Sequence, residues 1–315
     1  MSEAILAPDF KAQPYWWEAA PRPEAGAEAW PKRADVAVVG SGYTGLSAAL
    51  TLARAGRHTV VLEAGLAGEG ASSRNAGYVG RSLYYKLPEL ARRVGLARAT
   101  ALYGEAMAAL SFVFELVERE QIGCHLVRCG RLVPAVKPGH YDKLAREVEM
   151  MKEHLGDEAD MVSPQEMGAE IGSDLYHGGQ LWHRMGAIHP GLYHLGLLDR
   201  VRAAGAEVLA RAPVTKIERE NVGFTVATGR GTLAARDVVI ATNGYTDRRM
   251  PAYFRRRLLP VLSAGIATEP LDAELMAHLI PRRRTIIDSR HNPYCCRPSP
   301  DLSRLLFVRA AVAED

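Results

Sequence analysis

The sequence predicts an α/β fold: one domain with a parallel sheet flanked by helices, and a second lobe of mixed or antiparallel sheet plus helices. Three observations predict it. A buried-strand pattern, Val36-Ala37-Val38-Val39, leads through a glycine-rich turn into an alanine-rich helical stretch. A second apolar run, Thr59-Val60-Val61-Leu62, follows within a few residues of that helix, as a βαβ unit requires. After a long helical interval, strand-like order returns around Val214, Phe224-Thr225-Val226 and Val238-Val239-Ile240.

The turn reads Gly40-Ser41-Gly42-Tyr43-Thr44-Gly45, and the helix runs on from Leu46 to Gly56. Each glycine has its own task in this Rossmann-like arrangement. Gly40 permits the turn out of the strand, Gly42 lets main-chain amides approach a pyrophosphate with no Cβ in the way, and Gly45 lets the helix lie close to the sheet. Tyr43 and Thr44 open the helix, whose N–H groups and dipole favour an anion. The second strand ends in Glu63, 18 residues beyond Gly45, followed by Ala64. A carboxylate there accepts hydrogen bonds from ribose hydroxyls and repels a 2′-phosphate, so NADP is disfavoured.

NAD and FAD share that signal. The next stretch separates them: Gly68-Glu69-Gly70-Ala71-Ser72-Ser73-Arg74-Asn75-Ala76-Gly77-Tyr78. Small side chains let the backbone lie against a flat or phosphorylated ligand, Ser72 and Ser73 offer hydroxyl donors to phosphate, and Arg74 offsets charge. The stretch resembles the flavin segment of the FAD-dependent oxidoreductases of the D-amino acid oxidase superfamily, which includes glycine oxidase, sarcosine oxidase and γ-glutamylputrescine oxidase. Further segments resemble the family in order: Gly186 to Gly191 with the helical run to Gly205, Ala212-Pro213-Val214, Asp237 to Tyr245, Ala267 to Leu271, and Tyr294 to Arg297.

What the resemblance implies is an FAD site and oxidation of a C–N bond in a small amine or amino acid, with oxygen, a quinone or a carrier as electron acceptor. It places Val214 beside the adenine and Ala241, Thr242 and Gly244 near the dinucleotide, together with Asn75, Ala76 and Gly77. Tyr294 and Arg297 fall on a strand that faces the flavin in the family, which makes them candidate substrate contacts; strand alternation puts them on opposite faces, so at most one faces the ring and the other packs. No catalytic constellation is recognisable, and hydride transfer to flavin needs no strong base. The family pattern continues past the Arg304-Leu305-Leu306-Phe307 run into a closing glycine-rich turn and helix. Here the run is followed by Val308-Arg309-Ala310-Ala311, so a shortened form is expected. A catalytically silent nucleotide-binding remnant is the second reading, and an NAD-dependent dehydrogenase the third.

The organisation that follows is discontinuous. Residues 30–80 and 186–250 form the FAD-binding domain, 81–185 and 251–315 the substrate lobe, and 1–29 an N-terminal extension whose Tyr15-Trp16-Trp17 packs on the domain surface. Ligands are expected between the lobes, at the carboxyl ends of the parallel strands. Within the lobe, Leu102, Ala106, Leu110, Val113 and Val117 form one helical stripe, and Leu144, Val148, Met151 and Leu155 another. Ser163-Pro164-Gln165-Glu166 reads as a capping box opening a further helix.

Composition narrows the partners. A net charge of +3 from 39 basic and 36 acidic residues argues against nucleic acid, and the Arg255-Arg256-Arg257 and Arg282-Arg283-Arg284 runs lack interleaved aromatics. No apolar stretch approaches the roughly 18 to 20 residues a membrane span requires. Four cysteines, at 124, 129, 295 and 296, have neither metal-ligand spacing nor a disulfide framework, and the ten histidines do not cluster, so a metal-free protein of the reducing cytoplasm is expected. Covalent flavin attachment through Cys295 or Cys296 has no motif to support it.

Overall fold

The structure, a computed structural model, describes residues 10–26, 29–247 and 249–310. In chain order its elements are β1 (Arg33–Val39), α1 (Tyr43–Arg54), β2 (Thr59–Leu62), β3 (Tyr78–Val79), α2 (Leu87–Val94), α3 (Leu96–Arg119), β4 (Arg131–Pro134), α4 (Pro138–Leu155), β5 (Ala159–Val162), β6 (Gly179–Trp182) and β7 (Gly186–Ala187). There follow α5 (Pro190–Ala203), β8 (Glu207–Leu209), β9 (Val214–Arg219), β10 (Phe224–Thr228), β11 (Gly231–Ile240), α6 (Ala252–Arg255), β12 (Ser263–Ala267), α7 (Ala273–Leu279), β13 (Thr285–Ile287), β14 (Cys295–Pro298) and β15 (Leu305–Ala310). The chain separates into two compact units, one holding the residues up to Arg74 and Pro190–Pro260, the other Asn75–His189 and the residues from Val261.

The first unit is a six-stranded sheet in the order β8-β2-β1-β11-β10-β9. The strands β8, β2, β1 and β11 are parallel, and β11, β10 and β9 form an antiparallel meander at one side. Alternation explains the run of four apolar residues in β1: Val36 and Val38 join Leu46, Leu50, Leu197 and Val201 of α1 and α5 on one face, while Ala37 and Val39 join Leu62, Leu209, Val226 and Leu233 on the other. A parallel strand covered on both faces must be apolar throughout.

The second unit carries a seven-stranded mixed sheet, β12-β15-β14-β13-β4-β6-β5, in which only β13 and β4 run parallel, and a two-stranded β3-β7 ribbon. Helix α4 buries Leu144, Val148 and Met151 against it, as their spacing predicts. Helix α3 is phased differently from the expected stripe. Its buried residues are Ala99, Tyr103, Leu110, Phe114, Leu116 and Val117, and Leu102 is 43% exposed. Two aromatic rings bury more area than Ala106 and Val113 and so turn the helix. The Tyr103 hydroxyl reaches the Tyr85 carbonyl at 2.9 Å.

Two further expectations are corrected. The 24 residues of α3 are long and apolar enough to cross a membrane by length and composition, with a mean hydropathy of 1.4 in their best window. Arg98, Glu105 and Glu115 break up the apolar pattern along this helix, but its alanines and leucines keep the average apolar. At Ser163 only half of the box forms: the backbone N–H and Oγ of Ser163 donate to Glu166 Oε2 at 3.0 and 2.7 Å, while the Glu166 N–H goes to the Ser163 carbonyl rather than to Oγ, and only a 3₁₀ turn (Met167–Ala169) follows.

Candidate functional site

The turn between β1 and α1 is built by main chain against main chain. Gly40 sits at φ +103°, where an L side chain is strained, and a Cβ there would lie 2.7 Å from the Ala241 carbonyl oxygen. A Cβ on Gly45 would come within 1.9 Å of the Gly40 oxygen, so only glycine lets helix and strand meet this closely. Gly42 is the N-cap of α1, with extended backbone, no side-chain cap and no acidic residue in the first turn. A Cβ on it would meet Ser72 Oγ at 2.9 Å. Among the described residues the Gly42 N–H has no acceptor, which leaves it for an anion.

Glu63 turns toward this loop. Its Oε2 accepts from the Ser41 backbone N–H at 2.8 Å and the Ser41 hydroxyl at 2.7 Å, and its Oε1 from the Gly65 N–H at 3.1 Å. A carboxylate offers about four lone-pair sites, so one remains on Oε1 for an external hydroxyl. Ala64 beside it is exposed. The small-residue loop closes over the turn: Ser72 Oγ accepts from the Tyr43 N–H at 3.1 Å, and the buried Ser73 Oγ accepts from Trp17 Nε1–H at 2.7 Å. Arg74 lies over the Trp17 ring and reaches the Tyr245 hydroxyl at 3.5 Å. Thr44 is exposed at the start of α1.

Other residues named from the sequence fall as follows. In the first unit Val214 is buried in the core, Ala241 N–H donates to the Val39 carbonyl, Thr242 and Thr246 hydroxyls lie 2.7 Å apart, and a Cβ on Gly244 would make ordinary contact with Pro260 at 3.9 Å. In the second unit Asn75 Oδ1 accepts from the Gly77 N–H at 2.7 Å. Arg297 is buried, and its Nη1 donates to the Ala76, Gly77 and Ile188 carbonyls at 3.3, 3.1 and 2.8 Å. The guanidinium thus holds the Ala76-Gly77 backbone. Tyr294 is 43% exposed, and its hydroxyl accepts from Arg309 at 3.0 Å.

Three residues at this site were not legible in the sequence: Trp17, Arg22 and His194. The His194 ring lies against Gly68, where a Cβ would come within 2.4 Å of it. Its Nε2 is 2.7 Å from the Ser41 carbonyl, which only accepts, so Nε2 carries the proton. Nδ1 then accepts from Arg22 Nη1 at 3.3 Å. Burial, reinforced by the Arg22 charge, pushes the imidazole down to about 4, against the smaller upward pull of the Ser41 carbonyl and Glu63. Arg22 is itself buried, its remaining donors going to the Ala20 and Gly191 carbonyls. One signal existed for His194. It sits in the apolar N-terminal part of α5, between the buried Tyr193 and Leu197, where a polar side chain must find partners.

These residues fit a dinucleotide: a main-chain cradle that a Cβ would fill, an uncapped helix start and a carboxylate with an acceptor site to spare. Residues 35–311 match the family model described as FAD dependent oxidoreductase, DAO. The chain belongs to this family. Gamma-glutamylputrescine oxidoreductase of Escherichia coli (strain K12) is 32% identical over 273 residues, covering 87% of this chain and 63% of that protein. A probable oxidoreductase, OrdL, of Haemophilus influenzae is 31% identical over 280 residues, covering 88% and 64%. The chain therefore spans a little under two thirds of the length of these DAO relatives. Glycine oxidase from Geobacillus kaustophilus shares the fold, with a TM-score of 0.69 over 90% of this chain and 73% of that one, at 23% identity. The cofactor of the family is FAD, and NAD as principal ligand is set aside.

Proposed function

We propose that the chain is an amine or amino-acid oxidoreductase acting on the C–N bond of a small substrate: a D-amino acid, an N-methyl amino acid or a γ-glutamylated polyamine. The observation that carries this reading is the glycine turn with Glu63 turned into it, in a chain whose relatives include a gamma-glutamylputrescine oxidoreductase and a glycine oxidase. Bound FAD would supply the electron sink: the C–H bond beside the amine breaks, hydrogen leaves with its electron pair, and the imine that remains hydrolyses.

The chain's own residues bind and orient. The Gly42 amide and the start of α1 hold the pyrophosphate, and the spare lone pair of Glu63 Oε1 takes a ribose hydroxyl. Arg74, stacked on Trp17, offers its charge to the phosphates. Arg297, whose Nη1 donates to three carbonyls and Nε to a fourth, shapes the Ala76-Gly77 backbone, and the half-exposed Tyr294 ring is the side chain we assign to substrate. Oxygen or a quinone carrier takes the electrons, and four free thiols suit a reducing cytoplasm.

Reconstitution with FAD tests the reading. Protein that binds FAD should lose its flavin absorbance anaerobically with one of glycine, sarcosine, D-alanine or γ-glutamylputrescine. Bound flavin that stays oxidised with every one of them would refute the oxidoreductase reading in favour of a silent flavin binder. Colourless protein after reconstitution would refute the site itself.

A further inference from the structure

The first 26 residues contribute a cation that the dinucleotide turn does not display in its own sequence. Arg22 is 8% exposed, and among the described residues no carboxylate pairs with it. Its guanidinium is held by the Ala20 and Gly191 carbonyls and donates to His194 Nδ1. The fully buried imidazole then donates from Nε2 to the Ser41 carbonyl. A buried arginine without an acid is costly, and such groups persist where another negative charge completes them.

The Ser41 carbonyl is the lever. It shares a planar peptide with the Gly42 N–H, and no cis peptide occurs among the described residues, so the two bonds point in opposite directions. A carbonyl fixed on His194 therefore fixes the Gly42 N–H away from His194. On its N-terminal side the same residue is fixed by Glu63, which takes the Ser41 N–H and hydroxyl. Ser41 is thus clamped from both ends, and the glycine amide beyond it is left with no acceptor.

We infer that Arg22 and His194 are positioning residues for the FAD phosphates: the arginine orients the imidazole, the imidazole holds the Ser41 carbonyl, and that carbonyl aims the Gly42 amide at the pyrophosphate. The inference rests on the FAD reading of the turn and adds two residues and a direction to it. The relay also sends the charge of Arg22 toward the anion, since each donor in the chain is polarised by the one behind it. The ring packs on Gly68 as well, so the same histidine keeps the small-residue loop in register with the turn.

The test uses apo-protein titrated with FAD and, separately, with ADP, following flavin fluorescence and its displacement. His194→Leu and Arg22→Met should each weaken both ligands about tenfold or more, the scale of one charge-assisted hydrogen bond. His194→Gln, whose amide donates to Ser41 while its oxygen accepts from Arg22, should stay within about threefold of wild type by the same scale. Folded His194→Leu or Arg22→Met protein that binds FAD as wild type does would overturn the inference, as would equal losses in His194→Leu and His194→Gln. Should those variants fail to fold, ¹⁵N spectra of the wild-type imidazole decide. An Nδ1–H tautomer, or signals unmoved by FAD, overturns it; an Nε2–H tautomer whose signals move on FAD addition supports it. Wild-type protein that takes no FAD would instead overturn the reading of the turn.

Discussion

Acidification should reveal His194 as a stability switch confined to the first unit. The imidazole is fully buried and neutral, held down to about 4 in the folded chain against 6.5 when unfolded. Below pH 6.5 the unfolded chain takes up a proton that the folded chain refuses, so stability falls as pH falls. Its contribution is whole above pH 6.5, drains through the window down to about pH 4, and changes no further below it. A gap of that size is worth about 3 kcal/mol at about 1.36 kcal/mol per pKa unit. Burial is the largest cause of the depression, with the Arg22 charge adding to it and Glu63 acting in the opposite sense. Urea unfolding of apo-protein carrying Trp182→Phe isolates the first unit, because Trp16, Trp17 and Trp30 all lie there. Measured at several pH values from 7 to 4, the wild-type histidine and His194→Gln should differ by a gap that changes by about 3 kcal/mol. Other titrating groups are common to both proteins and cancel. Parallel profiles would show that the folded chain takes up this proton as readily as the unfolded one, and the argument that burial keeps His194 neutral would fail.

Gly45→Ala forces a Cβ onto the Gly40 carbonyl, backbone on both sides, and should cost about 3 kcal/mol of stability in chemical denaturation together with most FAD binding. Glu63→Gln replaces an acceptor of three protein donors by one carbonyl and an amide that repels N–H; FAD titration should show roughly tenfold weaker binding. In the second unit, Asp157→Asn strands the Arg81 guanidinium, buried 2.6 Å from it over the Trp182 ring, and Trp182 fluorescence should report a loss of about 3 kcal/mol or more. Burial raises the Cys296 thiol to about 12 and Cys124 to about 11, so both should resist iodoacetamide at pH 8, and intact mass after denaturation should show no flavin adduct.

What was legible in the sequence is what local rules determine. The β1 turn, α1 and β2 follow residue by residue from apolar runs and glycine spacing, and the Glu63 carboxylate after β2 accepts from Ser41 of that turn. The α4 stripe was legible for the same reason, since period alone places Leu144, Val148 and Met151 on one face. Helix α3 was not, because several apolar faces compete on it and the bulk of Tyr103 and Phe114 decides. The Ser163 box formed only its carboxylate half, because the Glu166 N–H closed a turn on the Ser163 carbonyl and no helix followed. Arg22 and His194 stand 172 residues apart, and Trp17 and Ser73 stand 56 apart. Nothing in local periodicity encodes pairings of that kind, and only the polar residue in the apolar start of α5 hinted at one of them.

The contact of the Gly40 oxygen with the first turn of α1 has a consequence for redesign. Where peptide touches peptide there is no functional group to exchange, so a change of coenzyme preference cannot be written at Gly40 or Gly45. Selection acting on this protein can adjust its grip only from outside the turn, through the acid that ends β2, the hydroxyls laid over it and the pair of bases lodged beneath.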